Sequence, residues 1–232
     1  MGKIKLIFFD MEGTIFKKAV PTEKTKVPPS AWYVIAEKLG PEALREEELT
    51  QERWLKSKYS NYLEWMEKTI LIHKKFKLTK RLFCDILDNI DYTPGVKETF
   101  AIINKVGTPT CLISGGFKYQ ADKAIKELKI KHSFIGCEYF WDTKGLLEHW
   151  CLVPSDSQGK VGFMKLLCTE YGLEQNECAF IGDGDNDIPL AKAVKISIAF
   201  NASERLSKCS TYSINQIPDK EDFRAILEYL DI

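Results

Sequence analysis

The stretch Leu6-Ile7-Phe8-Phe9-Asp10-Met11-Glu12-Gly13-Thr14 decides the fold. An apolar run rich in β-branched and aromatic residues predicts a buried strand, and the run stops at an aspartate. A second carboxylate follows two positions on, then a glycine turn. In an open α/β sheet, ligands bind beyond the carboxyl ends of the strands. Asp10 and Glu12 therefore stand where chemistry is done, and a carboxylate there can serve as nucleophile, metal ligand or general acid. A charged strand end or a helix cap is the plainer reading of the same residues.

Working outward, residues 17–91 contain no convincing strand. Pro21, Pro28 and Pro29 punctuate a linker leaving the first strand. Ser30 predicts the cap of a helix over 31–39 that Gly40 closes. Pro41 opens a second helix running towards Lys58. Asn61 with Glu64 resembles a capping box for a third, and Thr79 caps a fourth. The economical reading is a helical insertion after the first strand, with an aromatic-rich small core of its own (Trp32, Tyr33, Trp54, Tyr59, Tyr62, Trp65).

Alternation of strands and helices starts at Thr93. A helix from Pro94 to Gly107 precedes a strand over 109–113 that ends at Ser114-Gly115-Gly116. A helix over 118–128, a hairpin within 134–153 and a helix from Gln158-Gly159-Lys160 to Tyr171 follow. The strand 177–181 then delivers Gly182-Asp183-Gly184-Asp185-Asn186-Asp187. Strands at 195–200 and 211–214 and a closing helix over 221–230 complete the pattern. Strands separated by helices specify a parallel sheet covered on both faces. The fold class is thus α/β: a Rossmann-like parallel sheet core (1–16 and 92–232) with a helical cap domain inserted after the first strand (17–91).

Composition narrows the function. The 232 residues carry 33 basic and 33 acidic side chains, a formal net charge of zero, whereas nucleic-acid binders show a basic footprint. No stretch resembles a membrane span of about 20 apolar residues, and the N-terminus lacks a signal peptide's apolar segment. A cytoplasmic protein without nucleic-acid or membrane partners is expected. The seven cysteines include no Cys-x-x-Cys pair, which favours free thiols over a disulfide framework or zinc site. His73, His132 and His149 stand alone and are read as structural or surface residues.

Three strands end in turns suited to chemistry, and Lys160 stands at a helix start between the last two. Phosphoryl transfer needs this inventory: a lysine and backbone N–H groups for phosphate, hard oxygen ligands for Mg²⁺, and a nucleophile in line with the leaving oxygen. In order and spacing the four elements resemble those of the haloacid dehalogenase-like superfamily, closest to its phosphoserine phosphatase-like branch. The resemblance spans nearly the whole chain, since the helical insertion matches that branch's cap.

The resemblance implies an Mg²⁺-dependent phosphomonoesterase acting on a small phosphorylated metabolite, with phosphoserine one candidate. Asp10 would attack phosphorus and become an aspartyl-phosphate. Glu12 would protonate the leaving alkoxide and later activate water. Ser114 and the Gly115 N–H would hold phosphate oxygens, with Lys160 neutralising charge and Asn186 orienting the phosphate. Asp183, Asp10 and the backbone carbonyl of Glu12 would hold Mg²⁺, with Asp187 supporting the metal shell or Lys160. The cap would close through hinges at 21–29 and Tyr92-Thr93-Pro94.

Two departures stand out. The family's second carboxylate is commonly Asp, and Glu12 moves the carboxyl group by about 1.5 Å. The cap glutamate and arginine that read phosphoserine fall near Ser30 and Thr69; Glu37, Arg45, Arg53 and Lys68 are unsupported replacements. A phosphotransferase acting on a small alcohol, and a catalytically silent binding or regulatory protein of the same fold, are the alternatives.

Overall fold

The structure, a computed structural model, describes residues 3–18, 30–218 and 220–232. The proline-punctuated linker and proposed hinge at 21–29 lies outside the described residues. The described residues form two compact units. One draws on Met1–Lys17, Asp91–Ile135 and Ser155–Ile232, and the other on Lys18–Ile90 and Gly136–Pro154.

The core unit is built outward from β1 (Leu6–Phe9), whose four side chains are all buried. Their alternation divides them between two faces. Leu6 and Phe8 join Cys111, Ile113, Phe180 and Met164 in one apolar cluster. On the other face Phe9 meets Phe100 and Phe223, with ring centroids 4.7 and 6.3 Å away. Burying an aromatic side chain of this kind contributes roughly 1.5–3 kcal/mol. β1 is parallel to β2 (Thr110–Phe117) and to β5 (Cys178–Gly182). β6 (Ile196–Phe200) and β7 (Tyr212–Ile214) continue the parallel set. With β3 (His132–Trp141) and β4 (Leu147–Leu152), the strand order is β4-β3-β2-β1-β5-β6-β7. The chain thus winds one way from β1 to β3 and resumes on the other side of β1 at β5. The expected α/β class with a mostly parallel sheet is what the structure has.

The second unit carries α1 (Ala31–Leu39), α2 (Pro41–Leu55), α3 (Tyr62–Lys75) and α4 (Lys80–Asp88). Their starts follow the expected caps: the side chains of Ser30, Asn61 and Thr79 accept hydrogen bonds from Tyr33, Glu64 and Leu82 N–H groups. The return arm of the Asn61 box is displaced by one residue, because Glu64 accepts from Ser60 N–H at 2.7 Å. The end of β3 and all of β4 form an antiparallel hairpin in this unit, joined to the segment between α3 and α4 by backbone bonds such as Leu147 N to Leu78 O. Trp54 and Trp65 stack at 5.0 Å, with Tyr62 edge-on to both.

Three boundaries differ from expectation. β2 does not end at Ser114 but continues through Gly116 to Phe117. Helix α5 (Val96–Val106) starts two residues after Pro94, because Gly95 adopts a left-handed φ of 85° and caps it. The closing helix is a 3-10 run, Phe223–Tyr229, begun by the Asp222 carboxylate accepting from Arg224 N–H. α6 (Lys118–Leu128), α7 (Gln158–Tyr171), α8 (Ile188–Ala191) and α9 (Glu204–Cys209) complete the core unit. All seven cysteines are free. Among the described residues no helix is long and apolar enough to cross a membrane.

Candidate active site

Register alone brings the first two acids together. Phe9 pairs with Ile181 across β1 and β5, so Asp10, one residue past the first strand, and Asp183, one past the second, leave neighbouring strand ends. Asp10 N–H still donates to the Ile181 carbonyl at 2.9 Å, which fixes the start of its turn. The winding reverses here, where open α/β sheets present their ligand crevice.

The turn after β1 is shaped around Asp183. Gly13 holds a φ of 87°, and a methyl group added there would land inside contact distance of the Asp183 carboxylate. Only glycine meets both demands without strain. Thr14, fully buried, directs its hydroxyl at Asp183 Oδ1 from 3.4 Å. Neither residue was assigned a role from sequence; their place immediately after the two carboxylates was the available signal.

Lys160, on the first turn of α7, is fully buried. Its Nζ lies 2.5 Å from Asp10 Oδ1 and 2.6 Å from Asp187 Oδ1. The other Asp187 oxygen accepts from the N–H groups of Asp183 and Gly184, each at 3.0 Å. Asp187 therefore spends both oxygens on protein donors. Carboxylate oxygens of Asp10, Asp183 and Asp187 all lie within 4.8 Å of one another. Three carboxylates against one ammonium leave two negative charges when all are ionised.

Burial first, and that imbalance second, shape the protonation equilibria. Burial pushes the Asp10 carboxyl well above its ordinary range; Asp187 and Asp183 add to the rise, while Lys160 opposes it. Burial by itself would lower the Lys160 ammonium, but the charges of Asp10, Asp187 and Asp156 outweigh burial and keep it protonated. Buried, hard oxygen donors with an uncompensated double negative charge fit a divalent cation.

Ser114 and Gly115 are buried in β2, and the Ser114 hydroxyl accepts from Gly116 N–H at 3.2 Å. Asn186 sits in the 3-10 turn Asp185–Asp187 after β5, with its side-chain amide donating to Asp156 Oδ1 at 2.7 Å. Glu12 lies half-buried in the turn after Asp10, and its carboxylate is not one of the three clustered groups. Asp156 and the buried Ser155 were not singled out from sequence, although an acid four residues before Lys160, ahead of a helix start, is a recognisable signal. In the helical unit, Thr69 is buried beside Glu47 rather than exposed, and Ser30 serves as the cap of α1.

Comparison with known proteins accords with this geometry. Residues 4–195 match the family described as haloacid dehalogenase-like hydrolase. A phosphoserine phosphatase of Lactococcus lactis is 31% identical over 157 residues, covering 66% of this chain and 69% of that protein. One from Idiomarina loihiensis is 28% identical over 149 residues, covering 60% and 67% respectively. A solved structure described as a phospho-aspartyl intermediate analogue of phosphoserine phosphatase superposes with a TM-score of 0.77. It covers 99% of this chain and 100% of its own at 22% identity, a shared fold.

Proposed function

We propose, for a chain that belongs to the haloacid dehalogenase-like hydrolase family in its phosphoserine phosphatase-like branch, a specific course for its phosphoric monoester hydrolysis. Asp10 is the nucleophile, Mg²⁺ the cofactor, and a small phosphorylated metabolite the substrate. The observation that carries this reading is the position of Lys160 Nζ between Asp10 Oδ1 and Asp187 Oδ1, beside Asp183. An ammonium fixed there holds a carboxylate oriented for attack and offsets charge brought in by phosphate.

Asp10 and Asp183, with the Glu12 backbone carbonyl, are the groups that would hold the cation; Asp187, already bonded to Lys160 and two N–H groups, supports them. The cation supplies positive charge against the phosphoryl oxygens. In the first step an Asp10 oxygen bonds to phosphorus as the ester P–O bond breaks, and Glu12 gives its proton to the leaving alkoxide. In the second, Glu12 takes a proton from water, the water oxygen bonds to phosphorus, and the Asp10 O–P bond breaks to release phosphate. Ser114, the Gly115 N–H, Lys160 and Asn186 receive the other phosphate oxygens. Glu12, one methylene longer than aspartate, stands in a half-buried turn.

Phosphoserine is the first substrate to test, because the relatives named above are phosphoserine phosphatases. The direct experiment is Asp10→Asn, which removes nucleophilicity but little volume. It should abolish turnover of phosphoserine and of an aryl phosphate while leaving the thermal transition in place, and BeF₃⁻ should attach to Asp10 in the parent enzyme. Full activity of Asp10→Asn would end the mechanism. Turnover surviving exhaustive chelation would remove the cation. A screen of phosphorylated metabolites, with and without acceptor alcohols, separates hydrolysis from transfer.

A further inference from the structure

Three of the groups assigned above to phosphate, Ser114, Lys160 and Asn186, come from distant parts of the chain: β2, the start of α7, and the turn after β5. A single three-residue segment, Ser155-Asp156-Ser157, touches all of them. Ser155 is fully buried, and its hydroxyl donates to the Ser114 carbonyl oxygen at 2.8 Å. Asp156 Oδ1 accepts from Asn186 Nδ2 at 2.7 Å and from Ser157 N–H at 2.8 Å. The Asp156 and Ser157 carbonyls accept from Gly159 and Lys160 N–H groups, starting the turn that presents Lys160. Ser157 holds a φ of 47°, a conformation that favours glycine, so the segment is kept in an unfavourable backbone state by what surrounds it.

The two long-range side-chain bonds are not needed to begin a helix. A serine or aspartate that only caps would accept from N–H groups of its own helix, whereas Ser155 and Asp156 bond across 41 and 30 residues. An amide side chain such as Asn186 can turn either its oxygen or its nitrogen towards a ligand. With Asp156 accepting from Nδ2, the amide plane is fixed by one of its two ends.

We propose that Asp156, with Ser155, is a positioning residue for the phosphate site, locking Asn186 and the Ser114 strand end to the helix that carries Lys160. The proposal rests on the phosphate-binding reading of Asn186 and Ser114. Asp156 acts through Asn186: its carboxylate sets the amide's orientation, and loss of that carboxylate lets the amide rotate away from phosphate. A bond to a charged acceptor is stronger than one between neutral groups, which suits an anchor.

The test is a double-variant cycle read as kcat, KM and inhibition by inorganic phosphate. Asp156→Ala should lower kcat/KM about tenfold or more and weaken phosphate inhibition by a similar factor. Asp156→Asn keeps an acceptor oxygen and should restore most of both. Asp156→Ala combined with Asn186→Ala should be no worse than Asn186→Ala alone, within about twofold, because the anchor has nothing left to hold. Multiplying effects would overturn the proposal and make Asp156 an independent contributor. Loss of thermal stability with unchanged phosphate inhibition would likewise overturn it, in favour of a structural role. Should Asp156→Ala fail to fold, Asp156→Glu, which displaces the acceptor by one methylene, replaces it in the same cycle. If Asn186→Ala leaves phosphate inhibition intact, the phosphate reading of Asn186 falls and takes the proposal with it. If Asn186→Ala is impaired and Asp156→Ala is not, only the positioning role falls.

Discussion

In the core unit, Lys160 lies buried between two carboxylates with every contact at hydrogen-bond length. In the helical unit, Glu47 of α2 is buried as well, yet among the described residues no cation pairs with it, and its Oε2 has no hydrogen-bond partner. Thr69 and Thr50 lie beside the carboxyl and favour its ionised form, but burial dominates and pushes the group up to about 7. His73, one turn beyond Thr69 on α3, bonds Tyr139 Oη through Nδ1 at 2.8 Å and leaves Nε2 without a well-formed partner. Burial pushes it down to about 3. A buried ionisable group either acquires counter-charges or gives up its own charge. The first cluster gathers its carboxylates around a fixed ammonium, which opposes but does not cancel the upward push of burial on Asp10. In the second, burial favours the neutral forms of Glu47 and His73, which ties the stability of its unit to pH.

Removing the counter-charge tests that contrast most severely. Lys160→Met leaves Asp10 and Asp187 buried without their cation, and breaking a buried pair costs about 3–5 kcal/mol. Turnover of an aryl phosphate should fall by at least about 10²–10³-fold. A well-folded Lys160→Met protein with near-normal turnover would erase the distinction between the two clusters.

The Glu47 effect should be next in size and should depend on pH. Its folded value of about 7 exceeds the reference value of 4.5, so between those values the folded chain holds a proton that the unfolded chain releases. Stability contributed by the neutral acid is therefore complete below pH 4.5 and is lost as pH rises towards and through 7. The total is on the order of 3 kcal/mol. His73 runs the other way. Its folded value of about 3 lies below the reference 6.5, so its penalty grows as pH falls through that window. Glu47→Gln should remove the decline in melting temperature between about pH 4.5 and 7 and be more stable than the parent above pH 7. Parallel melting curves for the two from pH 5 to 9 would show that Glu47 finds a counter-charge in solution.

A smaller effect addresses how closely the core carboxylates are gathered. Gly13→Ala places a side chain at positive φ and against Asp183, costing roughly 1–3 kcal/mol from the backbone strain. Its metal requirement should rise more than its thermal stability falls. An unchanged Mg²⁺ dependence would mean that Asp183 can retreat without loss.

The two clusters were unequally legible in sequence. Asp10, Asp183 and Asp187 were readable because each terminates or follows a buried strand, and strand ends in a parallel sheet converge by register. Lys160 was readable because it opens a helix between two such turns. Thr14, Ser155 and Asp156 act through side-chain bonds spanning 169, 41 and 30 residues; local pattern can mark such positions but does not say what they reach at that range. Glu47 escaped notice for a different reason. It stands in Arg45-Glu46-Glu47-Glu48, a run that reads as a solvated helix face, and only the packing of α2 against α3 selects the one glutamate that turns inward. Thr69 drew attention as the place of a missing substrate-reading arginine, when what it meets in this unit is that glutamate.

The neighbouring residue supplies the finest test. Glu46 and Glu47 share helix, chemistry and sequence environment, but Glu46 turns outward and pairs with Lys75 Nζ at 2.5 Å, with both side chains substantially exposed. Exposed pairs of this kind contribute about 0–1 kcal/mol and weaken with salt. Glu46→Gln should therefore shift the melting temperature by a degree or two at most, equally at pH 5 and pH 9, and the shift should shrink in high salt. Glu47→Gln should produce the opposite signature: a larger, stabilising, pH-dependent and salt-insensitive change. If the two variants behave alike, burial is not what sets Glu47 apart, and the contrast between the paired cluster and the neutral one loses its physical basis.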